Sequence, residues 1–211
     1  MKILGVIIDD QLTWGSHVKK VRRQTHNTIV NLARTNAVLP LKSRRTLYDA
    51  LVTPHLNYCD IVWGGISKKW SQEIQKSGNQ AAKTLLGLKK RASASTALCT
   101  LNMMPLSEKR KVHMGVFAHK IANQNGPTAI TSRYQSLMER NHKYETRAAA
   151  RRDFITLTHR TARFDASTLQ RATRCWNSIP QNIRQIESTS SFKKTYQKCL
   201  LEIFKMDNGW C

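Results

Sequence analysis

Acidic side chains are scarce in this sequence: 13 Asp and Glu stand against 35 Lys and Arg. With so few carboxylates, a site built on a dense acidic constellation has little to draw on. Aromatic residues are also few, at 7% of the chain, too thin a supply for a row of base-stacking platforms. Nowhere does glycine gather into a phosphate-binding loop. Ser16 follows Gly15 but lacks the second glycine of a nucleophile elbow. The seven histidines are scattered, and none sits in an HExxH frame. Five widely spaced cysteines (Cys59, Cys99, Cys175, Cys199 and Cys211) form no CxxC, and no His lies at zinc-finger spacing from a pair. They read as reduced, buried thiols of an intracellular protein of nucleus or cytoplasm. The apolar run Ile3–Ile8 is too short for a signal peptide and meets two aspartates. No stretch approaches the roughly 20 apolar residues of a membrane span, so no membrane partner is expected.

What the sequence has in abundance is positive charge. The net value is +22, with a pI near 10.3. Residues 1–90 carry 15 basic and 5 acidic side chains, and residues 91–211 carry 20 and 8. The excess therefore belongs to a folded body rather than to a basic tail. Such self-repulsion calls for an anionic partner, and RNA or DNA is the expected one. Clusters recur at Lys19-Lys20-x-Arg22-Arg23, Lys42-x-Arg44-Arg45, Lys68-Lys69, Lys89-Lys90-Arg91, Lys109–Lys111, Arg151-Arg152 and Lys193-Lys194. Any one of them is an ordinary solvated helix face. Seven with little compensating acid favour contact with phosphates, which positions a strand without reading its sequence.

Hydrophobic periodicity predicts a mostly α chain. ILGVII (3–8) reads as a buried strand, which needs a partner strand for its backbone donors. Ser16 is a candidate N-cap for a helix to about Asn36, with Val18, Val21, Thr25, Ile29 and Leu32 on one face. A second helix opens near Pro40 and is kinked or restarted at Pro54. A third runs from about Ser67 to Leu88, with Gly78 in its middle costing about 1 kcal/mol against Ala. These three form a compact bundle over 16–90. Lys89-Lys90-Arg91 and the small-residue stretch 92–96 read together as a linker. Beyond it the chain is again mainly helical, with a short strand or hairpin expected within 150–165, where FITLTHRTARF alternates.

Asp9 and Asp10, adjacent at the end of an apolar strand, invite comparison with the metal-binding pair of a polymerase. Two divalent ions need a third carboxylate nearby, and the next acidic residues are Asp49 and Asp60, both in expected helices. DDQLTWGS also reads as a turn leading into a helix, where Asp is favoured for its side-chain hydrogen bonds.

Several segments, in order, carry a resemblance: LGVIID (4–9), LTWGSHV (12–18), LYDALVTPHLNYCDIVWGG (47–65), NQAAKTLLGL (79–88), LNMMPLSEKRKVH (101–113), WNSIPQNIR (176–184) and SFKK (191–194). Through them the chain resembles the C-terminal part of the reverse transcriptase of non-LTR (LINE-type, jockey-like) retrotransposons. The resemblance implies that residues 1–15 are the end of the palm, with Leu4, Gly5 and Val6 in the primer grip. It implies a thumb-like bundle at 16–90 that grips a template–primer duplex, and a C-terminal extension at 91–211. In that family the polymerase aspartates lie upstream, in an aromatic-x-Asp-Asp loop absent from this sequence. Neither catalytic residues nor a metal or cofactor are therefore expected in this chain. Met1 would fall inside a domain, and Ile3, Val6 and Ile8 would expose apolar surface. The backbone-gripping residues on this reading are Lys19, Lys20, Arg22, Arg23, Arg34, Lys42, Arg44, Arg45, Lys89, Lys90 and Arg91. Gly78 departs from the family, which usually has Gln there. The alternative is a freestanding basic helical protein that binds RNA or DNA in its own right. Oligomeric state is not legible in the sequence.

Overall fold

The computed structural model describes residues 1–36, 38–138, 151–158 and 160–207. The protein is mostly α, with twelve helices and one two-stranded sheet among the described residues. No helix among them is long and apolar enough to cross a membrane.

The N-terminal apolar run is not one strand in search of a distant partner. It folds back on itself, with β1 (Lys2–Ile3) antiparallel to β2 (Val6–Ile7), Lys2 opposite Ile7 and Ile3 opposite Val6. Leu4 and Gly5 make the turn, with φ of 45° and 83°, the left-handed pair that suits a tight hairpin. Val6 is buried, contrary to the expected apolar exposure, while Ile3 is exposed and Ile8 half-buried.

Helix α1 spans Gly15–Ala33, and Ser16 is not its cap. Trp14 occupies the N-cap position in a left-handed conformation, with no side-chain cap. Asp9 takes over part of that role: its two carboxylate oxygens accept the amides of Thr13 and Trp14, each at 2.7 Å. The turn reading of DDQLTW thus has a specific geometry. Helix α2 is Leu41–Leu51, and α3 (Thr53–Asn57) restarts with Pro54 in its first turn. Helix α4 is Asp60–Trp63. Helix α5 (Lys68–Leu85) is capped by Ser67, whose hydroxyl accepts from the Trp70 amide.

The chain divides into two compact units, one of Met1–Arg110 with the segment from Ile203 onward, the other Lys111–Glu202. Residues 86–93 take no helical structure, but 94–96 of the expected linker do not belong to the connection. Ser93 caps α6 (Ala94–Thr100), whose Ala97 and Leu98 join Leu101 and Leu106 in the core of the first unit. Four more apolar side chains there outweigh the flexibility that the small residues suggested. The rest of that core is Val18, Val21 and Ile29 of α1, Tyr48, Val52, Leu56 and Trp63 between, and Ile74, Ala81, Ala82 and Leu85 of α5.

Helices α7 (Leu106–Ala122), α8 (Thr128–Met138), α9 (Ala162–Asp165), α10 (Thr168–Ser178), α11 (Gln181–Arg184) and α12 (Thr189–Asp207) follow. The expected strand or hairpin within 150–165 is not there: residues 153–158 take no regular structure and α9 covers 162–165, while residues 150 and 159 lie outside the described set. Side chains of α10 take the backbone groups that a partner strand would have taken. Asn177 accepts the Phe154 amide and donates to the Phe154 carbonyl, both at 2.9 Å, and Gln170 donates to the Leu157 carbonyl at 2.6 Å. The second unit has an aromatic core in which Phe154 lies between Tyr134 and Trp176, with centroids 5.4 and 5.7 Å away. His119 is fully buried and donates through Nε2 to the Ile186 carbonyl at 2.6 Å.

Candidate nucleic-acid interface

Helices α1 and α5 pair side by side although about fifty residues separate them. Their contacts advance together along both: Lys19 with Trp70, Arg22 with Glu73, His26 with Gln80 and Asn36 with Thr84. The two helices therefore run parallel. Gly15 permits the close approach at the start, since a Cβ there would sit 3.1 Å from the Trp70 ring. Asn36 closes the far end, its amide donating to the Thr84 carbonyl at 2.6 Å.

Polar residues line the exposed side of this pair. At 100° per residue, Lys19, Arg23 and His26 fall on one stripe of α1 away from its buried Val18, Val21, Thr25 and Ile29, and Arg34 follows at its C-cap. On α5, Lys69, Lys76 and Lys83 recur every seven residues, a spacing that keeps them nearly in line. Over that helix they span about 21 Å. The two rows meet. Lys19 and Lys69 both lie over the Trp70 ring, at 5.7 and 5.9 Å. Arg22 and Lys76 both pair with Glu73. Hydrogen bonding from Lys76, opposed by partial burial and helped by the Arg22 charge, holds the Glu73 carboxyl below its usual range. It is the one acidic residue within α5, and α1 has none.

The sequence-derived candidates divide by what they already hold. Lys20 donates to the Gly5 carbonyl at 3.0 Å and so secures the hairpin turn. Arg22 reaches Glu73 at 2.6 Å. Arg45 donates to the Leu101 carbonyl at 2.8 Å and pairs with Asp49. Arg44 lines a shallow pocket with Asn36, Thr84 and Leu85. Lys19, Arg23, Arg34, Lys42, Lys89, Lys90 and Arg91 are exposed. The structure adds Lys69, Lys76 and Lys83, for which the seven-residue spacing was the available signal; Lys69 is exposed, Lys76 pairs with Glu73, and Lys83 is half-buried and donates to the Lys90 carbonyl at 3.0 Å.

Leu4, Gly5 and Val6 form the hairpin tip and the start of β2. The Leu4 carbonyl accepts the Tyr58 hydroxyl at 2.6 Å, so α1 and the residue after α3 both hold the tip. The Leu4 side chain is 83% exposed. Asp9 is committed to its two amides. Burial pushes its carboxyl up, but the Thr13 and Trp14 amides outweigh that and leave it below the usual carboxylate range. Asp10 accepts the Gln11 amide. Among the described residues no three His, Cys, Asp or Glu side chains converge.

The described residues thus define a helical, strongly basic protein with a two-helix cationic face. In sequence the chain is similar to two Drosophila melanogaster proteins. One is a probable RNA-directed DNA polymerase from transposon BS, 24% identical over 144 residues, which is 67% of this chain and 14% of the relative. The other is a probable RNA-directed DNA polymerase from transposon X-element, 27% identical over 89 residues, 41% of this chain and 10% of the relative. The similarity relates the chain to transposon reverse transcriptases, of which it spans a small fraction of the length. No family model matches it, and no solved structure does.

Proposed function

We propose that this chain is a nucleic-acid-binding part of a retrotransposon RNA-directed DNA polymerase that holds a template–primer duplex by its phosphates. The observation that supports it best is the shared face of α1 and α5. Lys19, Arg23, Lys69, Lys76 and Lys83 follow two parallel helices there, and the single acid, Glu73, is already neutralised. Cations in two rows suit the two rows of phosphates bordering a groove, and contacts of this kind carry no base information. On this reading residues 16–90 act as a thumb-like grip, and the Leu4–Gly5–Val6 tip lies against the primer. Catalysis is assigned to no residue of this chain. Asp9 serves the turn before α1, and among the described residues no third carboxylate converges on it.

The test is duplex binding followed by fluorescence anisotropy across a salt series. The unmodified chain should bind any sequence with a Kd on the order of 10⁻⁴ to 10⁻⁶ M near physiological salt, weakening steeply as salt rises. The triple change Lys19→Gln, Arg23→Gln, Lys69→Gln should weaken all sequences alike and flatten the salt slope by about one for each phosphate that is no longer neutralised. An unchanged slope in that folded variant would remove the face from the proposal. Primer extension with Mg²⁺ and nucleotides that is abolished by Asp9→Asn would overturn the non-catalytic assignment.

A further inference from the structure

The WNSIPQNIR segment (176–184) builds a cavity in the second unit. Trp176 donates through Nε1 to the Arg152 carbonyl at 3.0 Å. Asn177 holds both backbone groups of Phe154. Arg184 donates to the Arg151 carbonyl at 3.2 Å and to Asp153 at 2.7 Å. Three side chains of one short segment thus fix residues 151–154, a stretch with no regular structure of its own. What they frame is a cavity of about 280 Å³ lined by Arg151, Arg152 and Arg184, by the amides Asn123, Gln181 and Gln185, and by Trp176 and Ala122.

Among the described residues that line this cavity, cations outnumber carboxylates. Arg151 and Arg184 share one carboxylate, that of Asp153, which is itself buried. Arg152 brings a third cation, and its side chain is exposed. Its backbone is left-handed, φ 52°, a conformation that disfavours a residue with a Cβ. The Trp176 bond to its carbonyl holds it there. Arg184 is 94% buried at its side chain, stacked over Trp176 at 5.5 Å. Its Nε has no acceptor among the described residues. A buried, unpaired guanidinium donor costs free energy unless an acceptor completes it. Three guanidiniums with one carboxylate leave room for an oxyanion, and guanidinium suits the oxygens of a phosphate. The Gln181 and Gln185 amides can donate to and accept from a base edge, and Asn123, whose amide nitrogen lies 3.0 Å from His119 Nε2, can accept through its oxygen. The volume lies just below the usual range for small-ligand sites, so one nucleotide, partly open to solvent, is the largest unit it would take.

We infer that this cavity is a binding site for one phosphate-bearing nucleotide of a single strand of RNA or DNA, with Arg151, Arg152 and Arg184 on the phosphate and Asn123, Gln181 and Gln185 beside the base. The site uses no residue of the α1–α5 face and does not depend on the duplex grip.

The test uses the full chain with a 5′-fluorescein-labelled oligothymidylate of four residues, too short to form a duplex, and with unlabelled adenosine monophosphate, adenosine and inorganic phosphate as competitors. The double change Arg152→Gln, Gln181→Ala removes an exposed cation and an amide while leaving every bond described above in place. It should weaken the tetranucleotide about tenfold or more with an unchanged thermal midpoint. In the background of Lys19→Gln, Arg23→Gln, Lys69→Gln, where the duplex grip is removed, the Arg152→Gln, Gln181→Ala change should still weaken the tetranucleotide about tenfold, and no further loss in that background would overturn the inference. Competition by the monophosphate but not by adenosine supports a nucleotide site. Competition by inorganic phosphate equal to that of the monophosphate would overturn the role of the amides and reduce the site to a bare anion pocket. Equal tetranucleotide affinity in the unmodified chain and the folded Arg152→Gln, Gln181→Ala variant would overturn the inference outright.

Discussion

His17 Nδ1 accepts the backbone N–H of Ile7 at 3.3 Å. This bond ties β2 to the first turns of α1 and fixes the tautomer of His17, since only an unprotonated Nδ1 can accept. The ring is buried, with Trp63 edge-on at 5.5 Å. Burial first, and the Lys20 charge second, hold its pKa below the ordinary 6.5. In the window between the folded value and 6.5 the unfolded chain binds the proton and the folded chain does not. Stability is therefore full above 6.5 and falls as pH drops through that window. Urea midpoints between about pH 7.5 and 5.5 should decline for the unmodified chain more steeply than for His17→Gln, which keeps an acceptor but does not titrate. Parallel declines in the two proteins would refute the role.

Asp9 works on the acid side. Its folded pKa lies below 3.8, so its contribution is present above 3.8 and is lost as pH falls through the folded value. Asp9→Ala strands the Thr13 and Trp14 amides next to two left-handed residues, Leu12 and Trp14. It should cost about 1–2 kcal/mol, in the range of a lost helix cap. Thermal unfolding at neutral pH measures this. Asp10→Ala should cost less, and neither change should weaken duplex binding.

Gly78 is where propensity and packing disagree. Replacing a mid-helix Gly with Ala should gain about 1 kcal/mol on propensity alone. Here a Cβ would stand 3.1 and 3.2 Å from Leu106 side-chain carbons, and Gln75 binds the Leu106 amide at 2.8 Å to hold that residue in place. Gly78→Ala should therefore gain less than propensity promises, and Gly78→Gln should destabilise by about 1–3 kcal/mol through displaced core atoms. Urea denaturation of both variants decides it. A Gln variant as stable as the native chain would mean that Leu106 yields freely.

Gly115 presents the same conflict more sharply. A Cβ would lie 2.6 Å from Tyr196 Cε1 and 3.0 Å from Cδ1. Gly115→Ala should destabilise the second unit by about 1–3 kcal/mol. Pairing it with Tyr196→Leu should cost less than the two single changes summed, because the shortened side chain relieves the clash. Additive losses would show that the two residues do not compete for the same space.

The sequence by itself determined the helical class, the reach of the first helix and of the one capped by Ser67, the turn at Asp9 and the excess of positive charge. These are local or summed properties: a hydrophobic period is complete within a few turns, and net charge needs no structure. It did not determine that ILGVII would pair with itself, because a two-residue turn through Leu4 outweighed the strand length that its composition suggested. FITLTHRTARF alternated like a strand, but Phe154 and Leu157 found their backbone partners in Asn177 and Gln170, side chains that no window around residue 154 contains. The cationic face was half legible. Lys69, Lys76 and Lys83 announce themselves by spacing, yet that they run alongside Lys19 and Arg23 follows from α1 and α5 burying their apolar faces together. Whether a given arginine is exposed, as Arg23 is, or committed, as Arg22 is to Glu73, was decided only in the tertiary structure. Only there do charges fifty residues apart come within hydrogen-bonding distance.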